Sequence, residues 1–482
     1  MRSSFAIVLL ATLTLLTPAF GQEPGQREPL DLAVLAEVDL GQEVGQFRAC
    51  PVRLPDGRRA VAAIYAGDRE IDPWVAQFFF PKDTLKLIVF DTAGEVVFRK
   101  DLGPGMVPGI WFSPIFAFDM DQDGADEIYL VGNEDEEHPL RWWTYRLWRI
   151  DPMTGEKTGE WTWPRPKMDQ RMSFMYRHFI VGGYVDGEPV LITANGTYGP
   201  VRLTAYNGDM SVRWEAEFAP KSDKLPMGSH MTAVVDHDDD GVDALAWGER
   251  YVSFDTGESV MHAGKKDWSG HSDVAQPVLD RETGEWWHFS AREWDGSPRV
   301  VMAEPGGEVA WTAVEEGHMD TGWAAHLGGG ANPTVFTIRL GGKSRTQYGE
   351  SRSVDEEFAW DAFTGKRLQP GFDLYTTIPV DLDGDGYHEL VRGYFEGDGT
   401  VLDAEGREIG QVGPVVAIAS KFCDLPGEQL LTYEHGGSKV QIWRARNAID
   451  SDEAKQRYEH PFYYVNQQLP GVGYNYFNLG GL

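Results

Sequence analysis

The chain has 482 residues, of which 42% are hydrophobic and 24% charged, the balance of a folded protein rather than a disordered one. Its 75 acidic residues against 43 basic ones give a net charge of −32, which argues against a nucleic-acid backbone or an anionic membrane as partner, since both are gripped by Lys and Arg. The length suits one large closed ring or two to three domains and excludes a simple sandwich.

The first 21 residues read as an export signal. Arg2 supplies the positive start, residues 5–16 an apolar core, and Ala19-Phe20-Gly21 the small residues of a cleavage site. The core is too short to span a bilayer, and a secreted or periplasmic protein is expected. Residues 22–38 read as a linker, and 39–482 as one domain. Two cysteines, Cys50 and Cys423, lie near opposite ends of the mature chain. In an oxidising compartment they could pair across a ring closure or stay as two buried thiols, and the sequence leaves both open.

From residue 87 onward an apolar strand, a glycine turn and a second strand recur. The copies are LIVFDTAGEVVF, LWRIDPMTGEKTGEW, LTAYNGDMSVRW, YVSFDTGESVM, VVMAEPGGEVAW, FAWDAFTGKRL, TVLDAEGREIGQV and KVQIWRARNAI, the last without the glycine turn. Alternating apolar residues around such turns make hairpins. Their spacing of roughly 40 to 60 residues is that of a four-stranded propeller blade. The sequence predicts an all-β fold, a single β-propeller with eight blades favoured over seven. Residues 32–52 and 461–482 are expected to complete the terminal blade, since a closed ring exposes no edge. Residues 451–457 could form one short helical turn.

Three acidic loops sit between apolar runs. They are Asp119, Asp121, Asp123 and Glu127; Asp236, Asp238, Asp240 and Asp243; and Asp381, Asp383, Asp385 and Glu389. Carboxylates at this spacing suit a hard cation that takes oxygen ligands, and Ca²⁺ is the expected cofactor. The spacing and the strand-like flanks are not those of an EF-hand. The expected task is structural, an ion closing a turn of like charges.

Several stretches occur in the order found in one known family. They are DLGPGMVPGIWFSPIFAFDMDQDGADE (101–127), HFIVGGYVDGEPVLITANGTYGPVRLTAYNGDMSVRWEAEF (178–218), GSHMTAVVDHDDDGVDALAWG (228–248), SGHSDVAQPVLD (269–280), EGHMDTGWAAHL (316–327) and the tail YYVNQQLPGVGYNYFNLGGL (463–482). On these the chain resembles the rhamnogalacturonan lyases of polysaccharide lyase family 11. The resemblance implies an eight-bladed, calcium-binding propeller that cleaves a pectin backbone by β-elimination. Three departures stand out. The first blade reads CPVRLPDGRRAVAAIY, where the family has an acidic loop. Trp323 follows Asp320-Thr321-Gly322, where the family has a basic residue. Residues 405–413, EGREIGQVG, lack the lysine of the family's Asn-Gly-Thr-Lys motif.

Uronate β-elimination requires a neutralised carboxylate, a base for the C5 proton and help for the leaving oxygen. His271 and Asp273, and His318 and Asp320, repeat a His-x-Asp spacing that puts both side chains on one face of a strand. They are the candidate catalytic residues, able to ligate a metal, position a base or brace a blade junction. Tyr198 and His230 match family positions and are candidates for substrate binding. Lys265 with Lys266, and Arg345 with Arg352, are read chiefly as solvated surface. The expectation is a monomeric polysaccharide lyase acting on a uronate-containing glycan, with a non-catalytic glycan- or protein-binding propeller as the alternative.

Overall fold

A computed structural model describes residues 29–74, 78–165, 172–218, 228–264, 270–293, 296–328, 330–347 and 350–482. The export signal, most of the linker, and Lys265 and Lys266 lie outside the described residues. Eight four-stranded antiparallel sheets form the eight blades of a β-propeller. Seven take their strands consecutively, beginning with Gln46–Arg53 in blade 1, Ile115–Phe118 in blade 2 and His178–Val185 in blade 3. The innermost strands of blades 4 to 7 are Thr232–Val235, Ser272–Leu279, Met319–Ala325 and Thr377–Val380.

Blade 8 is composite. Its inner three strands come from Val415–Ser420, Gln429–Tyr433 and Lys439–Ala445, and its outer strand is Leu32–Asp39 from the opposite end of the chain. Seven of the eight sequence copies are the outer hairpins of their blades; the eighth is the third strand of blade 8 and lacks a glycine turn because its partner strand arrives from elsewhere. Part of the 32–52 run thus completes the terminal blade as expected, while Gln46–Arg53 opens blade 1. The linker of 22–38 is corrected at its end, since residues 32–38 are strand held by pairing with Lys439–Ala445. Cys50 and Cys423 are both free, buried thiols, in separate apolar clusters, and burial pushes the Cys423 thiol up to about 12.

The expectation for 461–482 is corrected as well. This tail joins no blade and fills the axis of the ring. The helix Asp452–Glu459 lies against the third acidic loop, where Ser451 N–H donates to Gly384 O and Tyr458 O–H to Asp381 Oδ2. The chain then crosses to the opposite face at Gly473 and Tyr474. It returns to end at Leu482, whose carbonyl accepts from Arg281. On the way it meets the inner strands of all eight blades.

Inner strands leave one edge unpaired, and buried backbone groups must find partners. In blade 4 they find asparagines. Asn466 accepts from Val234 N–H and donates to Val234 O. Asn475 accepts from Thr232 N–H, and Asn478 donates to Thr232 O. Close approach elsewhere demands glycine: a Cβ on Gly481 would lie 2.0 Å from Pro277 O, and one on Gly471 2.3 Å from Ile115 O. Asn466→Ala and Asn475→Ala should each lower unfolding free energy by about 1–3 kcal/mol, because each strands buried backbone groups. Denaturant unfolding checks this, and unchanged midpoints would refute it.

Candidate functional site

Every inner strand begins on one face of the ring, so equivalent residues of successive blades become neighbours around the axis. His230 precedes the inner strand of blade 4. His271 and Asp273 open that of blade 5, and His318 and Asp320 that of blade 6. Tyr198 and Glu293 come to the same face from the loops that follow Glu188–Asn195 and Trp286–Arg292. The six sequence candidates therefore converge.

His271 Nδ1 lies 3.1 Å from Thr197 O and donates to it, which aims Nε2 at the acids, 3.7 Å from Asp273 Oδ1 and 3.9 Å from Glu293 Oε2. Tyr198 O–H lies 2.8 Å from His230 Nε2. Burial, then the Glu293 charge, raises this phenol well above its ordinary value, so it donates. Burial and the neighbouring His271 and Arg177 push His230 well below its usual value, which favours the neutral imidazole. His230 Nε2 and Asp273 Oδ1 then face one another as two acceptors 3.2 Å apart. One ligating atom from each of His230, His271, Asp273 and Glu293 lies within 4.8 Å of the others, and all four residues are buried. Asp273, His318 and Asp320 form an adjoining group. His230 Nδ1, His271 Nε2, Asp273 Oδ1, Glu293 Oε2 and His318 Nε2 are buried without a hydrogen-bond partner. His271 Nε2, Asp273 Oδ1 and Glu293 Oε2 are orphaned acceptors that fit a divalent cation, and His230 Nε2 could join them once the Tyr198 hydroxyl turns away from it.

Next to this cluster stands a cationic wall. The second and third strands of blade 6, Thr334–Arg345 and Glu350–Asp361, run well past the inner strand and overhang the site. Lys343 and Arg352 are direct cross-strand partners. Such like charges repel unless an acid separates them. Asp320 does so, with Lys343 Nζ at 3.0 Å and Arg352 Nε at 3.2 Å. Burial opposes ionisation of Asp320, but Arg352, Lys343 and His318 hold its carboxyl far below the usual range. Burial pulls His318 down, yet Asp273, Glu293 and Asp320 outweigh it and hold the imidazole above its ordinary value. Burial and the Asp273 charge raise Glu293. Tyr474 of the axial tail lies under the wall, its ring 5.1 Å from that of His230 and its hydroxyl 3.4 Å from Arg352. Arg177 lies over Trp111 and Tyr198, 4.5 and 5.2 Å from the ring centres.

Lys343, Glu293 and Arg177 escaped the sequence reading, and Arg352 is buried rather than the solvated residue expected. All but Arg177 sit on loops or overhangs whose local pattern says nothing of the axis. One departure loses its weight. Trp323 is a fully buried core residue, donating to Thr377 Oγ1 at 3.2 Å, and the wall's cations come from the overhang instead. Of residues 405–413, the first three lie in the outer turn of blade 7 on the face away from the cluster, while Glu408–Gln411 is that blade's outer strand and runs back toward the cluster's face.

The acidic loops are the first hairpin turns of blades 2, 4 and 7, also on that far face. All three are built alike. Asp119 accepts from Asp123 and Gly124 N–H, Asp236 from Asp240 and Gly241, and Asp381 from Gly384 and Gly386. The fourth position is left-handed, Gln122 at φ 57°, Asp239 at 57° and Gly384 at 79°. The first three carboxylates of each loop form a close oxygen-only group that could hold a metal. The ninth-position acid turns back to the chain: Glu127 accepts from Met120 N–H and Tyr129 O–H, and Glu389 from Leu382 N–H. Asp243, the eighth residue of its loop, accepts from Tyr184 N–H. Burial raises Glu127, Asp243 and Asp381 to about 7 each.

No family model matches the chain. A rhamnogalacturonan exolyase, YesX of Bacillus subtilis (strain 168), is 28% identical over 343 residues, 64% of this chain and 53% of its own length. Over this stretch the chain is similar to a rhamnogalacturonan lyase. It spans about half the length of that curated relative. The fold agrees. The crystal structure of the exotype rhamnogalacturonan lyase YesX superposes with a TM-score of 0.73 at 20% identity, covering 93% of this chain and 82% of the other. Rhamnogalacturonan lyase YesW and a Bacillus licheniformis rhamnogalacturonan lyase each give 0.69 at 16% identity, over 92% and 80%. Among the described residues, no helix is long and apolar enough to cross a membrane.

A buried ion pair braces the cluster. Glu249 holds Arg292 through two bonds of 2.7 Å and accepts from Ser290, with Ser272, between His271 and Asp273, 3.5 Å away. Glu249→Ala would leave Arg292 uncompensated and should cost about 3–5 kcal/mol in denaturant unfolding. A loss under 1 kcal/mol would show that the pair carries little.

Proposed function

We propose that the protein is a secreted polysaccharide lyase that cleaves a uronate-containing, rhamnogalacturonan-like glycan by β-elimination. The observation that carries this reading is the four-residue cluster of orphaned buried ligands beside a wall of cations. There His230, His271, Asp273 and Glu293 would hold a divalent cation. When bound, such a cation neutralises a uronate carboxylate and so acidifies the C5 proton. Arg352, buried on Asp320 and Tyr474, adds fixed positive charge behind the carboxylate. Lys343 has a third of its side chain exposed, whereas Arg352 is buried. Arg352 can therefore keep Asp320 while Lys343, having lost a proton to solvent, leaves it as the neutral amine and takes the C5 proton. The ammonium so formed gives a proton to the C4 oxygen as its bond to carbon breaks. His318 and Asp320 position this wall, and Tyr198 lines the cleft and orients His230. The acidic loops hold Ca²⁺ as structural ions on the opposite face. The negative surface favours a protein that acts as a monomer without nucleic-acid or membrane partners.

Elimination leaves a C4–C5 double bond that absorbs in the ultraviolet. With Ca²⁺ present, rhamnogalacturonan should yield that absorbance, and His271→Ala and Lys343→Met should each lower kcat/KM by about 100-fold or more. Silence across uronate polymers would leave the non-catalytic module as the correct reading.

Chelation provides a separate test. Loss of ions that bind only the folded chain removes about 2.7 kcal/mol per site at a hundredfold excess over Kd. EDTA should therefore lower the Tm, and added Ca²⁺ should restore it. A Tm indifferent to chelator would refute bound structural cations.

A further inference from the structure

The face opposite the histidine cluster carries a cavity of about 430 Å³, within the range of ligand pockets. It opens where blade 8 meets blade 1, beneath the helices Asp452–Glu459 and Pro461–Asn466. Blade 1 has no acidic loop at its first hairpin turn, which reads Arg53-Leu54-Pro55-Asp56-Gly57-Arg58-Arg59. There Arg53 reaches Asp126 at 3.0 Å and Asp119, of the first acidic loop, at 3.6 Å. A side-chain cation thus stands in blade 1, whose first turn supplies no carboxylate set, beside the first acidic loop.

Four cations line the cavity against three carboxylates, a local surplus in a chain of net charge −32. Two of the carboxylates are already engaged, Asp126 by Arg53 and Asp450 by Lys421 at 2.8 Å. Arg59 and Lys455 are held only loosely. Their partners Asp424 and Asp452 are 79% and 89% exposed, and pairs of that kind contribute little. A guanidinium has five donors, so Arg59 keeps most of its capacity for a ligand. Tyr458, Tyr464 and Phe422 add aromatic surface, and Gln467 and Gln468 add amides. Gln468 is 3% exposed, and its Oε1 has no hydrogen-bond partner. Cations for a carboxylate, amides for hydroxyls and aromatic faces for an apolar ring face are the groups a uronic acid uses. A small inorganic anion would need no aromatic wall.

We propose that this cavity is a second saccharide site that holds a carboxylated sugar residue on the face away from the histidine cluster. The surrounding negative charge repels a long polyuronate, so the site takes a chain end or a short stretch. Its walls are tied to two acidic loops, through Arg53 to Asp119 and through Tyr458 to Asp381. The inference does not rest on the lyase reading.

Ligand-observed NMR titration of the full chain with galacturonate, and with galactose as the neutral control, tests it. In a His271→Ala background galacturonate should still bind saturably, and more tightly than galactose. The added pair Arg59→Gln and Lys455→Gln should weaken galacturonate about tenfold, or 1.4 kcal/mol. Gln468→Glu should weaken it independently. The proposal fails if galacturonate does not bind in the His271→Ala background, if galactose binds equally, or if the double variant binds unchanged with its near-ultraviolet circular dichroism intact. Failure of the lyase reading shows separately, as absent ultraviolet product.

Discussion

Eight inner strands that converge on one axis each leave a row of N–H and C=O groups facing a channel too narrow to solvate them well. That constraint shapes this molecule. The chain answers it with its own C-terminus, which crosses the ring and returns. Asparagine side chains serve as backbone substitutes along blade 4, and glycines allow contact where only a bare backbone fits. Sealing the axis also builds the site, because the turn of the tail places Tyr474 beneath His230 and Arg352.

The direction of the inner strands sorts the chemistry into two faces. Residues that start these strands, and loops that follow the second strands, meet on one face and form the histidine cluster. The first hairpin turns meet the other face and carry the acidic loops. The same three-residue acidic cluster serves blades 2, 4 and 7, and in blade 1 an arginine stands in its place. Charge is compensated locally on both faces. Asp320 separates two cations that would otherwise repel, and Glu249 neutralises a guanidinium that burial would otherwise forbid.

Legibility from the sequence followed locality. The outer hairpins and acidic loops could be read because each is a contiguous signal with its own turn chemistry. The His-x-Asp pairs could be read because strand periodicity puts both side chains on one face. Glu293 could not, because it is one acid in an unremarkable loop, and nothing local records that His271 lies 3.9 Å away. Lys343 and Arg352 could not, because their meeting depends on the cross-strand register of a hairpin and on its overhang past the inner strand. The closure of blade 8 from residue 32 was expected, but the end of the linker and the axial tail were misread for one reason. A terminal segment carries an apolar pattern but no label for the surface that will cover it.

By itself the sequence determined the class of the protein: an all-β ring of repeated hairpins, three oxygen-rich loops, and a pairing of His with Asp at the strand starts of two blades. These follow from short-range rules, the two-residue period of a strand, the turns that glycine permits and the spacing of carboxylates. Only the tertiary structure decided which of these groups share a site. Closing the ring turned residues about 40 positions apart into neighbours a few ångströms apart, such as His230 and Asp273 at 3.2 Å, and put the acidic loops on the other face. Closure is a property of the whole sheet set, set by how eight twisted blades pack, and no window of sequence contains it.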